Sequence, residues 1–483
     1  MTRRSRLIVI PAIVLALAGA VTLAQGTLDR SKAPAPGAPP MLRVPAWTRS
    51  TLGNGAELVV SEKHDLPLVS FTITMSGGYN QADPAARRGL ADITAAMMSE
   101  GTRTRDGEAL SSALQLLGTT VTVRIGGESG TIAFQCIAAK FPATLDILAD
   151  MLVNPAFPAE ALERLRAQRL VALVQARDQT SAIASRVFPR LVYGDAHPYG
   201  QNVTEGTLKA ITRDDVVAFH RAYFRPGQAL VTVVGDVDAS AAKASIEKAL
   251  AAWPRGGEKP AFQYPPLPAS RTSTIYLADK PGAAQSTFAI GIPGPPRSTS
   301  DYYALQVMNT ILGGMFQSRL NANIREDKGY SYGVNSSFAF GKGPGAFRAG
   351  GDVVAAKSDA ALQEFMKELR GIRGGRPITD EELSTAKDAL TQRLPGTFAS
   401  AQSINTAIVA LWTQGLPDEY YQQYAARIAA VRREDVVRVA RQYVDVDHLV
   451  IVIVGDRAAI EGTLRATGVA PIAITDIEGT SLQ

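Results

Sequence analysis

Arg325 and Tyr332 stand seven residues apart in a stretch, Gly313 to Val334, that opens on two glycines and is broken at Gly329. A permanently charged guanidinium and a phenol hydroxyl are suitable donors for a developing oxyanion, and losing one such donor costs about 10²–10³ in rate. The plainer reading of the same residue types is an arginine paired with a nearby acid and a tyrosine packed in a sheet. Groups that hold metals are scarce. The histidines are His64, His197, His220 and His448, and no two lie at helical ligand spacing. His197 precedes Pro198, Tyr199 and Gly200 and reads as a hydrogen-bonded turn histidine; His220 reads as a surface or half-buried helix residue. Cys136 is the only cysteine, so no intrachain disulfide forms. It lies in the apolar run Ile132 to Ile137 and reads as a buried strand residue.

These groups need elements to position them. Gly329 is predicted to end the helix carrying Arg325, with a strand beginning at Tyr330. The glycine-rich stretch Phe340 to Phe347 reads as a hairpin turn, with a mobile loop as the alternative. Strand patterns at Leu58–Val60, Leu68–Thr74 and Leu230–Val234 alternate with amphipathic helices. One helix starts at Pro158 with an early Glu160. Its counterpart starts at Thr379, a capping residue followed by Asp380, Glu381 and Glu382. The late strands, each followed by Gly-Asp, are expected to close each sheet and turn into a last helix.

The chain repeats itself. Residues 211–223 match 431–443 at an offset of 220, with identities at Arg213/Arg433, Asp215/Asp435, Val216/Val436, Val217/Val437, Arg221/Arg441 and Tyr223/Tyr443. The same offset brings Val233–Asp236 onto Ile453–Asp456. One offset kept across two separate blocks marks a tandem duplication. The fold class expected is α+β, in two homologous repeats, each a mostly antiparallel sheet packed with helices. The repeats are placed at 46–253 and 269–475, joined by a proline-rich linker at 254–268.

With 46% hydrophobic and 20% charged residues, the 483-residue chain has the composition of a globular protein of two or more domains. Arg3, Arg4 and Arg6 precede an apolar run, Leu7 to Ala24, that ends in small residues. That order is the pattern of a secretion signal over residues 1–24, with an uncleaved membrane anchor as the rival. The location expected is periplasmic or secreted, or else anchored and facing the periplasm. Residues 25–45 form a Pro/Ala-rich linker. Removing residues 1–24 takes three arginines and no acid, so the formal charge falls from +5 to +2. No basic stripe is interleaved with aromatics, and nucleic acid is not an expected partner.

Residues 89–102 carry a resemblance. They read Gly89, Leu90, Ala91, Asp92, Ile93, Thr94, Ala95, Ala96, Met97, Met98, Ser99, Glu100, Gly101, Thr102. This is similar to the insulinase/pitrilysin family of zinc metallopeptidases, whose early helix reads G-L-A-H-x-x-E-H-M-x-x-x-G-T. The resemblance covers roughly residues 45–475 and points to the short two-domain members. In the family, the histidines at i and i+4 ligate zinc from one helix face and the glutamate activates water. Here those positions are Asp92, Ala95 and Ala96, a degenerate zinc motif in which one carboxylate alone cannot hold the metal. The stretch matching the distal glutamate ligand, Val171 to Gln175, contains no acid.

The segment Gly313–Val334 resembles the family's G-x-x-S-x-L-x-x-x-I/L-R-x-x-x-G-x-x-Y-x-x. The resemblance implies that Arg325 and Tyr332 contact substrate and oxyanion in a partner's site. It implies no cofactor on this chain, zinc on a homologous partner subunit, and extended peptides as substrates. The expected activity is that of the non-zinc half of a heterodimeric endopeptidase. The alternative is an inactive scaffold or peptide-binding protein of the same fold.

Overall fold

Runs of valine, isoleucine and threonine, stiff at χ1 and suited to a pleated surface, build two sheets. The computed structural model describes residues 42–482; the expected signal or anchor and most of the first linker lie outside the described residues. The first sheet contains β1 (Thr48–Thr51), β2 (Glu57–Glu62), β3 (Leu68–Ser76), β4 (Thr122–Ile125), β5 (Ser129–Ile137) and β6 (Ala229–Gly235). Its order is β1-β2-β6-β3-β5-β4. The second contains β7 (Thr274–Asp279), β8 (Gln285–Gly294), β9 (Val334–Phe338), β10 (Gly345–Val354), β11 (Val450–Gly455) and β12 (Ile472–Thr475), in the order β12-β7-β11-β8-β10-β9. Five strands correspond in order, β2-β6-β3-β5-β4 with β7-β11-β8-β10-β9, as a duplication requires; the edge strands differ, β1 opening its repeat antiparallel to β2 and β12 ending its repeat parallel to β7.

Pairing is antiparallel except at β2–β6, β7–β11 and β7–β12. The architecture is the expected α+β arrangement of two homologous sheets packed with helices. The late strands do not close their sheets: β6 and β11 lie inside them, each paired on both edges. The reason is that every residue of β6 is buried. A strand apolar on both faces belongs between layers rather than at an edge.

The helices that matter below are α1 (Leu90–Met97), α2 (Phe141–Val153), α3 (Ala159–Ala176), α4 (Thr180–Tyr193), α5 (Arg213–Tyr223), α6 (Ala239–Ala249), α7 (Asp380–Thr391), α8 (Ala401–Gln414) and α9 (Arg433–Tyr443). The capping signals read from sequence are in place: Pro158 precedes α3, and Thr379 forms a capping box with Glu382 at α7.

Two helices cover the sheet of the other repeat. Ile404 and Ile408 of α8 pack with Val59, Leu230 and Val234 of the first sheet. Ile183, Val187 and Phe188 of α4 pack with Tyr276, Val452 and Val454 of the second. The opposite faces of the same strands, Val231 and Val233 or Ile451 and Ile453, fill each repeat's own core. Within α8, Asn405 Nδ2 donates to the Ser70 carbonyl at 3.0 Å, and its Oδ1 accepts from Thr232 Oγ1 at 2.8 Å. These bonds fix the helix on β3 and β6 and leave the buried amide paired.

Candidate functional site

The degenerate motif is held by α1, which begins where Gly89 adopts φ +100°, a conformation favourable only for glycine. Asp83 supplies the cap: its carboxylate accepts the Gly89 and Ala91 amides at 2.8 and 2.7 Å. Burial pushes the Asp83 carboxyl up while those amides pull it down. Asp92 emerges from α1 into solvent, and Ala95 points into the core at 3% exposure. Ala96 packs half-buried against the same core.

Across from α1 lies α3. Its Arg169 Nε donates to Asp92 Oδ2 at 2.7 Å, so the only carboxylate of the motif faces a guanidinium. Where the family resemblance asks for a distal carboxylate, α3 presents Val171 and Val174, 55% and 60% exposed. These residues do not fit zinc. Two methyls offer no lone pair, and the fixed cation beside Asp92 repels a dication. Among the described residues, no group of three or more His, Cys, Asp or Glu is arranged to hold a metal ion.

The second constellation is built differently. Arg319–Asn321 is a short helical turn that widens into a π-helical turn over Ala322–Asp327. Gly329, at φ +65°, ends it as expected, and its amide bonds the Arg325 carbonyl at 3.0 Å. The strand does not begin at Tyr330. Ser331 Oγ accepts the Gly333 amide at 3.1 Å and donates to the Asp352 carbonyl, folding residues 331–333 into a turn. The ladder with β10 therefore starts at Val334.

Tyr332 is left 91% exposed on that turn, not packed in a sheet. Arg325 does find an acid: its Nε lies 3.1 Å from Glu326 Oε1. The guanidinium also lies over the Phe316 ring at 4.4 Å, and Phe316 is itself 58% exposed. No hydrogen bond or ion pair among the described residues joins Arg325 or Tyr332 to Asp92, Ala95 or Ala96.

Phe316 and Arg169 are the two site residues that sequence reasoning missed. An aromatic nine residues before Arg325 was a usable signal; a pairing between residues 92 and 169 was not.

The remaining histidines fall where their contexts point. His197 is fully buried, accepts the Tyr199 amide at Nδ1 (3.1 Å) and stacks on Tyr193 and Tyr264. The glycine-rich stretch is the β9–β10 hairpin. Its tip reaches the first repeat, where the Gly343 amide donates to Tyr199 Oη at 3.2 Å and Lys342 Nζ contacts Ser76 Oγ at 3.3 Å. Tyr199 Oη in turn donates to Glu128 at 2.5 Å.

Comparison with known proteins places these features in a family. Residues 58–192 match the family model described as insulinase (peptidase family M16), and residues 210–390 match that described as peptidase M16 inactive domain. An uncharacterized zinc protease of Streptomyces coelicolor is 25% identical over 81% of this chain and 86% of its own length. A Helicobacter pylori protein named a non-peptidase homolog is 24% identical over 83% of this chain and 92% of its own. Among solved structures, a peptidase M16 inactive domain from Pseudomonas fluorescens superimposes with a TM-score of 0.78 at 26% identity. It covers 86% of this chain and 99% of that one.

Proposed function

This chain belongs to the insulinase (M16) family of peptidases, and on that footing we propose that it is the zinc-free subunit of a heterodimeric zinc endopeptidase. In this reading it processes or degrades peptides outside the cytoplasm. The observation that carries the reading is the contrast between the two constellations. The metal positions hold Asp92 in an ion pair and two alanines, whereas Tyr332, seven residues after Arg325, stands 91% exposed. A phenol so exposed contributes little to the fold. Its use is to something that docks.

In the complex, the zinc belongs to a homologous partner that keeps the H-x-x-E-H helix. Arg325 donates its N–H groups to a peptide carbonyl, and the Tyr332 hydroxyl donates to the oxyanion that develops there. Glu326 and Phe316 hold the guanidinium in place for that contact. Extended peptides of varied sequence suit such a site, because strand addition at a sheet edge binds through the main chain. The secretion pattern at Leu7–Ala24 supports a location outside the cytoplasm.

The test is peptide cleavage by the chain alone and with its homologous partner. Within the complex, Arg325→Ala or Tyr332→Phe lowers turnover about 10²–10³-fold while zinc content is unchanged. Full, chelator-sensitive activity of the lone chain sinks the proposal. A second reading, an inactive scaffold or peptide-binding protein, is favoured by the naming of the Helicobacter pylori relative. It predicts no stimulation of any partner's peptidase activity and no effect of Arg325→Ala.

A further inference from the structure

Alongside α5, four arginines line one cleft of about 500 Å³: Arg103, Arg213, Arg221 and Arg225. No Asp or Glu lines it. None of the four has a carboxylate within ion-pair distance among the described residues, although many other arginines of the chain do. Arg213 and Arg225 are oriented by main-chain carbonyls instead. Arg213 Nε donates to Phe157 O at 2.7 Å and its Nη2 to Ala156 O at 3.1 Å; Arg225 Nη2 donates to Arg255 O at 2.8 Å. Carbonyls aim a guanidinium without neutralising it. Arg103 and Arg221 make no side-chain hydrogen bond or ion pair with the described residues.

The duplication supplies an internal control. At the same offset of 220, Arg213 corresponds to Arg433 and Arg225 to Asp445. Arg433 pairs with Asp380 at the start of α7; at the same offset α3 has Glu160, which makes no ion pair with Arg213. Asp445 pairs with His448 at 2.6 Å and approaches Arg373 at 4.0 Å. The second repeat thus ties acids to its cations at this place, whereas the first leaves Arg213 and Arg225 without an acidic partner. A sign imbalance confined to one of two homologous positions is not explained by the fold they share.

The wall of the cleft is also strained. Phe157 has φ +49° and is the only non-glycine residue at positive φ among the described residues. For a bulky side chain this is a genuine outlier, and such outliers concentrate at ligand sites. The conformation turns the Phe157 carbonyl onto Arg213. His220, on the same cleft, bonds the Leu152 carbonyl at 2.9 Å and is held toward its neutral form by burial.

We propose that this cleft, which the peptidase reading leaves without a role, binds a small multivalent phosphate-bearing anion. Planar guanidinium forks match phosphate oxygens in pairs, and four unneutralised cations exceed what a single carboxylate would balance. The cleft is of the size that takes small molecules.

The experiment is isothermal titration of the whole chain with inorganic pyrophosphate, repeated with citrate at equal ionic strength. Pyrophosphate is expected to bind one per chain and more tightly than citrate. Arg103→Ala and Arg221→Ala are each expected to weaken it about tenfold or more, with melting temperature unchanged because neither side chain is tied to the fold. Arg441→Ala, at the position that matches Arg221 in the second repeat, is expected to leave affinity unchanged. No binding at millimolar pyrophosphate, citrate binding as tightly, or the double variant Arg103→Ala, Arg221→Ala binding like wild type would each overturn the proposal.

Discussion

Replacing Ile408 by alanine tests whether the two repeats are interlocked. Ile408 is on α8, in the second repeat's sequence, yet it is fully buried against Val59, Leu230 and Val234 of the first sheet. Truncating a buried isoleucine costs about 2–5 kcal/mol, the transfer of the lost carbons plus the cavity they leave. At about 1.4 kcal/mol per factor of ten, the lower figure raises the population of open forms roughly 30-fold. Native-state hydrogen exchange reads this strand by strand. The β6 amides are expected to lose at least that much protection, and no less than the amides of β11, which lies in the same repeat as the mutation. If β11 loses protection while β6 keeps its own, the exchange of helices between sheets is not what holds the first sheet together.

Asp92→Asn is expected to change stability by less than about 1 kcal/mol, since an exposed pair with Arg169 contributes little; dialysis against a chelator should likewise leave Tm unchanged, and a fall of several degrees in either case argues against the site described. Burial pushes the Cys136 thiol up to about 11, so at pH 8 a disulfide reagent should label it only after unfolding; rapid labelling of the native chain would contradict its place in β5. Burial also lowers both His197 and His220. Their native forms refuse a proton that the unfolded chain accepts near pH 6.5, so the unfolded state binds more protons below that value and stability falls as pH drops through it. Tm measured from pH 7.5 to 5.5 should therefore decline, and less steeply in the double variant His197→Gln, His220→Gln; equal slopes refute the assignment.

Much of this architecture is legible in the residues. The constant offset between residues 211–223 and 431–443 reports the duplication, and five strands of each sheet duly share one order. The cap at Thr379 and the break at Gly329 are local chemistry, and local chemistry is readable. Three features were not. The turn at Ser331–Gly333 depends on the Asp352 carbonyl of a strand some twenty residues away. The central position of β6 follows from burial on both faces, and an apolar run does not say which neighbours provide it. Helices α4 and α8 are each ordinary amphipathic segments, and periodicity marks an apolar face without saying whose sheet it covers.

At the site, that Asp92, Ala95 and Ala96 offer one carboxylate and two methyls was plain from residue types. That Arg169 lies against Asp92 was not, because contacts across 77 positions leave no trace in one sequence. The exposure of Tyr332 likewise depends on the turn that carries it.

The helix exchange also sets an order of events during synthesis. The outer face of the first sheet, with Leu230 and Val234, is complete about 170 residues before Ile408 leaves the ribosome. At roughly 5–20 residues per second the delay is on the order of 10–35 s. For that interval an apolar face lies uncovered, open to water and to any strand or helper protein within reach. A helix from the last fifth of the chain is thus the lid under which the first half finishes folding, and a nascent chain halted before residue 401 should be caught with that face still bare.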